Sequence, residues 1–260
     1  MRELVIIGGG PAGMSAAVAA YESGIRDILI LERDENLGGI LQQCIHNGFG
    51  LHKFKEELTG PEYALKYENK VKELGIEYKL STMVLDITSD KVITATNQNE
   101  GIFQIRAKAV ILAMGCRERS KGALVDQDRQ TSIEGIFACG NVLHVHDLVD
   151  FVSEEAEIAG KSAAEYINNG NEENLAITLK ADGKIRYTVP QKITKNKDVN
   201  VYFRVSDVFK NVKIKVYNNE NLIFSKKKAK VAPGEMESVI LKKDSFVGAE
   251  ELKFELEVSE

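Results

Sequence analysis

Cysteine is scarce in this sequence. There are three, Cys44, Cys116 and Cys139, and no two of them form a C-x-x-C or stand at metal-ligand spacing, which argues against a disulfide framework and a zinc ribbon. Basic charge is also short. Lys and Arg number 34 against 39 Asp and Glu, a net charge of −5, whereas a general nucleic-acid binder needs excess Lys and Arg to neutralise phosphates. No apolar run approaches the roughly 20 residues needed to span a bilayer. Only four histidines occur, and neither His144 nor His146 has a third ligand within sequence reach, so no metal is expected. Met1 lies three residues from the first apolar strand and leaves no room for a signal peptide. The expectation is a cytoplasmic protein with reduced thiols, no nucleic-acid partner and no membrane span. Its 260 residues, 43% hydrophobic and 28% charged, are enough for one large or two ordinary soluble domains.

What is present begins at once. A β-branched run, Leu4-Val5-Ile6-Ile7, leads into Gly8-Gly9-Gly10-Pro11-Ala12-Gly13 and then an alanine-rich helical pattern. Gly8, Gly10 and Gly13 fit G-x-G-x-x-G between a strand and a helix, the context in which that motif binds a dinucleotide. Gly8 permits the tight turn, Gly10 lets a pyrophosphate approach the backbone, and Gly13 lets helix lie close to strand. The helix N-terminus then faces the phosphates. A second strand, Ile28–Leu31, ends at Glu32, nineteen residues after Gly13, where a carboxylate accepts from ribose hydroxyls and disfavours a 2′-phosphate.

Between Arg33 and Gly50 the chain reads as a long loop with two glycine clusters, and loops of this kind are more often functional than idle. Pro61 opens a helix with Ala64, Tyr67, Val71 and Leu74 on one face, ended by Gly75. Ile76–Leu80 reads as a strand, and Met83–Thr88, Lys91–Thr96 and Ile102–Arg106 as a three-stranded meander. Ala109–Ala113 is a continuous apolar run, the mark of a strand covered on both faces; Gly135–Gly140 contains a shorter one. A helix is predicted over 153–168, with Ser153 as N-cap and Glu154 and Glu155 in its first turn. The polar stretch Asn168–Asn174 reads as a linker. Beyond it the period changes to two, as in Val199, Val201, Phe203 and Val205, and the spacing of short strands predicts a sandwich of about seven. Lys226-Lys227-Lys228-Ala229-Lys230 is either a docking patch for an anion or a solvated edge strand that resists aggregation. The expected architecture is a doubly wound α/β domain with a β-meander over residues 1–168, a linker at 169–174 and a small all-β sandwich at 175–260.

Residues 1 to about 168 resemble the FAD-dependent pyridine-nucleotide oxidoreductases. The resemblance is carried by Gly8–Gly13 with Glu32, by Leu37-Gly38-Gly39-Ile40-Leu41-Gln42-Gln43-Cys44-Ile45-His46-Asn47-Gly48-Phe49-Gly50, by Ala113–Arg119, and by Gly135–Val142. Within that family it is strongest to a subgroup that includes the alpha subunits of amine, opine and proline dehydrogenase complexes, with relatives associated with glycerol-3-phosphate dehydrogenases. It implies FAD, held by Gly8, Gly10, Pro11, Ala12, Gly13, Glu32, Arg33, Gly38, Gly39, Val84, Ala113, Gly115, Gly140 and Asn141. It also implies that the helix beginning near Ser153 points its N-terminus at the flavin ring.

Three departures from the family pattern stand out. Most relatives carry Asp where this chain has Asn141, which keeps an acceptor and loses a charge. In the disulfide reductases two cysteines follow the Gly-Gly pair; here those positions hold Leu41 and His46, with Cys44 between them. Cys44 is therefore either a lone redox thiol or a packed, inert one, and His46 either a proton relay or a structural histidine. Finally, relatives insert an NAD(P)H-binding domain after the segment matching Gly115–Arg119, and here the chain runs directly from Arg119 into Val125–Ser132 with no second G-x-G-x-x-G. The expected function is an FAD-dependent oxidoreductase or flavin electron-transfer subunit. It would exchange hydride or electrons with a small donor or a partner dehydrogenase, without its own nicotinamide site. The rivals are a non-catalytic FAD-binding scaffold that docks a partner dehydrogenase and a plain NAD-binding protein.

Overall fold

Strand β1 (Arg2–Ile7) is buried on both faces in the computed structural model, which describes residues 1–116, 122–172 and 174–258. Leu4 and Ile6 face a helical layer, while Val5 and Ile7 belong to a separate apolar cluster on the other side. That double burial is why the run lacks polar alternation. The chain continues through α1 (Pro11–Glu22), β2 (Ile28–Leu31), a hairpin of β3 (Asn47–Phe49) and β4 (Leu58–Thr59), α2 (Gly60–Glu73) and β5 (Glu77–Lys79). The meander strands β6 (Met83–Ile87) and β7 (Val92–Asn97) lead to β8 (Gly101–Leu112), β9 (Ile136–Ala138) and α3 (Val149–Asn169).

Strands β5, β2, β1, β8 and β9 are parallel neighbours in that order, and β6 and β7 extend the sheet antiparallel from β8. The order reverses at β1, with β2 on one side and β8 on the other, which is the switch point of a doubly wound sheet. Sequence alternation split residues 102–113 into two strands, but the structure has one twelve-residue strand. Its first half alternates because it faces the meander, and its second half is covered on both faces between β1 and β9.

Helix α2 starts where expected. Thr59 caps it and forms a reciprocal capping box with Glu62, which satisfies two end groups at once. Helix α3 begins one turn earlier than its sequence signature: Leu148 is the N-cap, and Ser153 lies inside the helix, fully buried. Ser153 has a different task. Its carbonyl accepts from Ser15 Oγ at 2.9 Å and its hydroxyl bonds the Tyr63 hydroxyl at 2.8 Å, tying α1, α2 and α3 together. Helices α1 and α3 touch through small residues, since a Cβ on Gly160 would lie 2.3 Å from the Ala16 carbonyl oxygen.

The chain divides into two compact units, Met1–Ala123 with Asp128–Asn171, and Leu124–Gln127 with Glu172–Glu260. The second unit therefore also takes in four residues from the segment before β9. Val125 exchanges backbone and side-chain bonds with Gln191, Asp126 accepts from Thr194 Oγ1 at 2.9 Å, and Gln127 bonds Thr194 twice. Its strands are β10 (Ile177–Ala181), β11 (Ile185–Val189), β12 (Lys192–Ile193), β13 (Val199–Val205), β14 (Phe209–Asn218), β15 (Asn221–Val231), β16 (Glu237–Leu241) and β17 (Glu251–Val258). One sheet runs β12-β10-β17-β14-β15 and the other β11-β13-β16. Residues from both, among them Phe203, Val239, Ile214 and Phe254, share one apolar core, which makes the unit a sandwich. The lysine-rich run lies on β15, an edge strand, where lysines oppose pairing with another chain.

Candidate functional site

The carboxyl ends of the parallel strands collect most of the residues singled out in the sequence. Gly8 follows β1 with φ +105°, and a Cβ there would lie 2.5 Å from the Ala113 carbonyl oxygen, at the end of β8. A Cβ on Gly13 would lie 1.8 Å from the Gly8 carbonyl oxygen, so the helix–strand approach leaves no room for a side chain. Gly10 is different: nothing lies within 4 Å of the position its Cβ would take. Pro11 occupies the first turn of α1, whose N-cap is Gly10 with no side-chain cap and no acidic residue in the first turn. The end amides of the helix are thereby left for an anion.

The loop after β2 folds back onto this turn. Gly38 donates to the Gly9 carbonyl at 2.8 Å, and a Cβ on Gly39 would lie 3.3 Å from the Gly10 Cα. Glu32, 5% exposed, accepts from the Gly9 amide at 2.6 Å and the Asp34 amide at 2.9 Å. Thr82 donates to the Glu32 carbonyl, which brings the start of β6, and with it Val84, alongside. Gly140, directly after β9 and Cys139, presses on α1: its Cβ would lie 2.8 Å from the Ala12 Cβ. Asn141 Oδ1 accepts from the His146 amide at 3.2 Å. Gly115 has φ +73° with open space around it, and Arg33 is exposed beside Asp34. Arg117 and Arg119, quoted in the resemblance, lie outside the described residues.

The two catalytic candidates are not assembled into a constellation. Cys44 is half-buried, with its thiol 3.4 Å from the Ile40 carbonyl oxygen, and the three cysteines are free thiols. His46 is exposed, its ring 5.0 Å from Phe49 and its Nδ1 3.0 Å from the Asn47 carbonyl oxygen.

A buried charged cluster behind the Gly140 turn was not legible in the spacing. The Glu155 carboxylate accepts from Arg129 Nε and His144 Nε2 on one oxygen, both at 3.0 Å. Its other oxygen accepts from the Gly140 amide at 3.0 Å and faces His146 Nε2 at 2.9 Å. All four of these side chains are 2% exposed. Burial alone would raise the Glu155 carboxyl, but Arg129 and the two imidazoles outweigh it and hold it well below its ordinary value. Burial lowers His144, against the pull of Glu155. His144 and His146 have no third ligand nearby in sequence, but α3 brings Glu155 to them. Their donor atoms and that of Glu155 lie within 4.8 Å of one another. Both carboxylate oxygens are nevertheless engaged by N–H donors, one of them cationic, an arrangement that fits a buried anion. The only sequence signal for the cluster was Glu155 at nine residues from His146, too far to associate without the fold.

A doubly wound sheet with a glycine turn at its switch point, an uncapped helix N-terminus and a carboxylate after the second strand defines a dinucleotide-binding protein of the flavoprotein type. The sequence profile of the pyridine nucleotide-disulphide oxidoreductases matches residues 2–123 and 52–163, and the chain belongs to that family. Its cofactor is FAD, and the residues present fit it: the Gly10 cradle is the place a Cβ would fill, with Glu32 and Gly39 beside it.

Among curated proteins the chain is 33% identical over 122 residues to the hydrogen cyanide synthase subunit HcnB of Pseudomonas protegens, covering 45% of this chain and 25% of that protein. It is 27% identical over 208 residues to a thioredoxin reductase of Ureaplasma parvum, covering 77% and 62%. The chain thus spans a quarter of the first relative's length. Among solved structures, a thioredoxin reductase from Gloeobacter violaceus superposes with a TM-score of 0.54 at 15% identity, over 66% of this chain and 96% of that one. A ferredoxin-flavin thioredoxin reductase from Clostridium acetobutylicum gives 0.53 at 16%, over 64% and 97%. At such identity these two report the fold. Among the described residues no helix is long and apolar enough to cross a membrane.

Proposed function

We propose that the chain acts as an FAD-dependent oxidoreductase or flavin electron-transfer subunit, exchanging hydride or electrons with a small donor or a partner dehydrogenase, and that it has no nicotinamide site of its own. The observation that carries the reading is the selective openness of the glycine turn. Gly8 and Gly13 are closed by backbone, whereas Gly10 faces free space between Gly39 and the α1 N-terminus. Bound FAD supplies the redox chemistry. The chain's own part is to receive the pyrophosphate at Gly10 and α1, to hold the ribose end at Glu32, and to lay the turns at Gly39, Ala113 and Gly140 along the cofactor.

The lack of a nicotinamide site is supported by chain length. Only 23 residues separate β8 from β9, and four of them, 124–127, belong to the second unit. A βαβ unit needs roughly 30. Assembly with a partner is supported by the likeness to a synthase subunit and by the absence of a thiol pair around Cys44 among the described residues, which leaves the reacting group to be brought by another molecule. The motifs around Gly38–Gly50 resemble those of the alpha subunits of amine, opine and proline dehydrogenase complexes, which favours assembly of that kind, and a cytoplasmic setting agrees with free thiols.

The test is the absorbance spectrum of the purified protein, identification of the released cofactor, and turnover with dye acceptors and candidate donors. A yellow protein with about one FAD per chain, and donor-dependent dye reduction faster than with free FAD, is expected. Flavin without turnover makes the chain a scaffold, and a colourless protein unable to take up FAD refutes the reading.

A further inference from the structure

The Glu155 cluster has a cost that the stability of the fold does not require. A buried ionic group can often be replaced by apolar residues without loss of stability, yet here Arg129, His144, His146 and Glu155 are all withdrawn from water. Arg129 also carries a left-handed backbone, φ +67°, on a segment whose carbonyl accepts from Ala138 in β9. Non-glycine residues in that region are strained, and strain is retained where the surroundings fix something specific.

What the cluster fixes is the Gly140 turn. The Gly140 amide is the one backbone donor on the Glu155 carboxylate among the hydrogen bonds of the described residues. Gly140 has φ +73° and lies against Ala12, two residues beyond the open cradle at Gly10. The turn is tied a second time through His146, whose ring reaches Glu155 while its amide donates to Asn141 Oδ1. With that oxygen engaged, the remaining polar group of Asn141 is its NH2, a donor. Each link is charge-assisted or made in a site shielded from solvent, where such bonds are strongest.

We infer that Glu155 is a positioning residue for the cofactor: it holds the Gly140–Asn141 turn against α1 so that the turn meets an incoming dinucleotide already in its binding geometry, with His144, His146 and Arg129 orienting the carboxylate. This rests on the FAD reading and deepens it. A turn set in advance does not have to be ordered on binding, and preorganisation of that kind appears directly as affinity. The ligand class is a flavin dinucleotide, and the group recognised at this turn is an oxygen acceptor, which the NH2 of Asn141 can serve.

The experiment compares the cofactor-stripped wild type with Glu155→Gln, His146→Leu and His146→Gln. Three readouts apply: FAD affinity by titration, thermal unfolding of each unit, and amide hydrogen exchange at Gly140 without FAD. Gln at 155 turns one acceptor into a donor facing donors, and should weaken FAD binding about 10- to 100-fold, the range for a lost hydrogen bond to a charged group. Gly140 exchange should speed up in parallel. His146→Leu removes one donor and should weaken FAD about tenfold, and His146→Gln, whose amide can still donate to Glu155, should recover to within about threefold of wild type. If Glu155→Gln fails to fold, the His146 pair decides. FAD affinity unchanged in His146→Leu, or lost equally in Leu and Gln, overturns the inference. Wild type that protects Gly140 but takes up no FAD refutes the FAD reading and leaves the Glu155–Gly140 tie standing.

Discussion

Two alanine substitutions three residues apart should have opposite consequences. At Gly13 the added Cβ would lie 1.8 Å from the Gly8 carbonyl oxygen, and both sides of the contact are backbone. Reaching 3.0 Å, the shortest distance a real Cβ shows, requires α1 and β1 to part by about 1.2 Å. Overpacking costs roughly 1–3 kcal/mol, and with no side chain able to yield the upper end applies. A loss of about 3 kcal/mol corresponds to a fall of roughly 6–12 °C in the unfolding midpoint of a unit this size. At Gly10 the same methyl group meets nothing within 4 Å. Gly10→Ala should therefore leave the midpoint of the cofactor-free protein within about 1 °C of wild type. Its methyl would instead stand in the path of the pyrophosphate and push it off the amides of the turn. Losing one such charge-assisted bond costs about 1.5–3 kcal/mol, or roughly 10- to 100-fold in Kd. Calorimetry of the cofactor-free variants and FAD titration by flavin fluorescence separate the two effects. Wild-type FAD affinity in Gly10→Ala would refute the assignment of the cradle, and an unchanged midpoint in Gly13→Ala would refute the helix–strand contact.

Reduction of the bound flavin by NADH or NADPH should be slow and first order in nucleotide, without saturation at millimolar concentration, because a positioned nicotinamide contributes on the order of 7–11 kcal/mol that collision lacks; saturable reduction at catalytic rates in anaerobic stopped-flow would reveal a nucleotide site. The N-terminal unit should lose stability on acidification. His144 is lowered from its usual 6.5, so the unfolded chain binds more protons, and the stabilisation, full above about 6.5, is lost as pH falls through the folded value. Glu155, held well below 4.5, adds a second loss that begins below about 4.5. Melts from about pH 8 to pH 4 check both, and a midpoint flat between 7 and 5 would contradict the first. Limited proteolysis should cut first just after α3, within 170–174. The nicked fragments should still co-elute, since residues 124–127 on the N-terminal piece are bonded to Gln191 and Thr194 on the other; separate elution without denaturant would count against that tie.

Much of this protein was determined by local sequence. The glycine spacing with its flanking strand and helix announced the tight turn at Gly8 and the close helix–strand approach at Gly13, and Glu32 followed at a distance that lets it bond the Gly9 amide, because these contacts join segments that are neighbours along the chain. The opening of α2 around Pro61 was legible for the same reason, and the lysine run, open to two readings, lies on an edge strand. Tertiary structure decided the rest. Ser153 has the chemistry of an N-cap, yet α3 starts at Val149 because Ser153 is needed inside, bonded to Ser15 and Tyr63 on two other helices. Residues 102–113 form one strand because β8 is shared by two packing environments, and hydrophobic period reports environment rather than continuity. Residues 124–127 lie far from the sandwich in sequence and were assigned by hydrogen bonds that no pattern announces. The Glu155 cluster is the clearest case. Arg129, His144 and His146 converge on one carboxylate only after β9 and α3 pack against the switch point, since burying a charge needs partners from several elements at once.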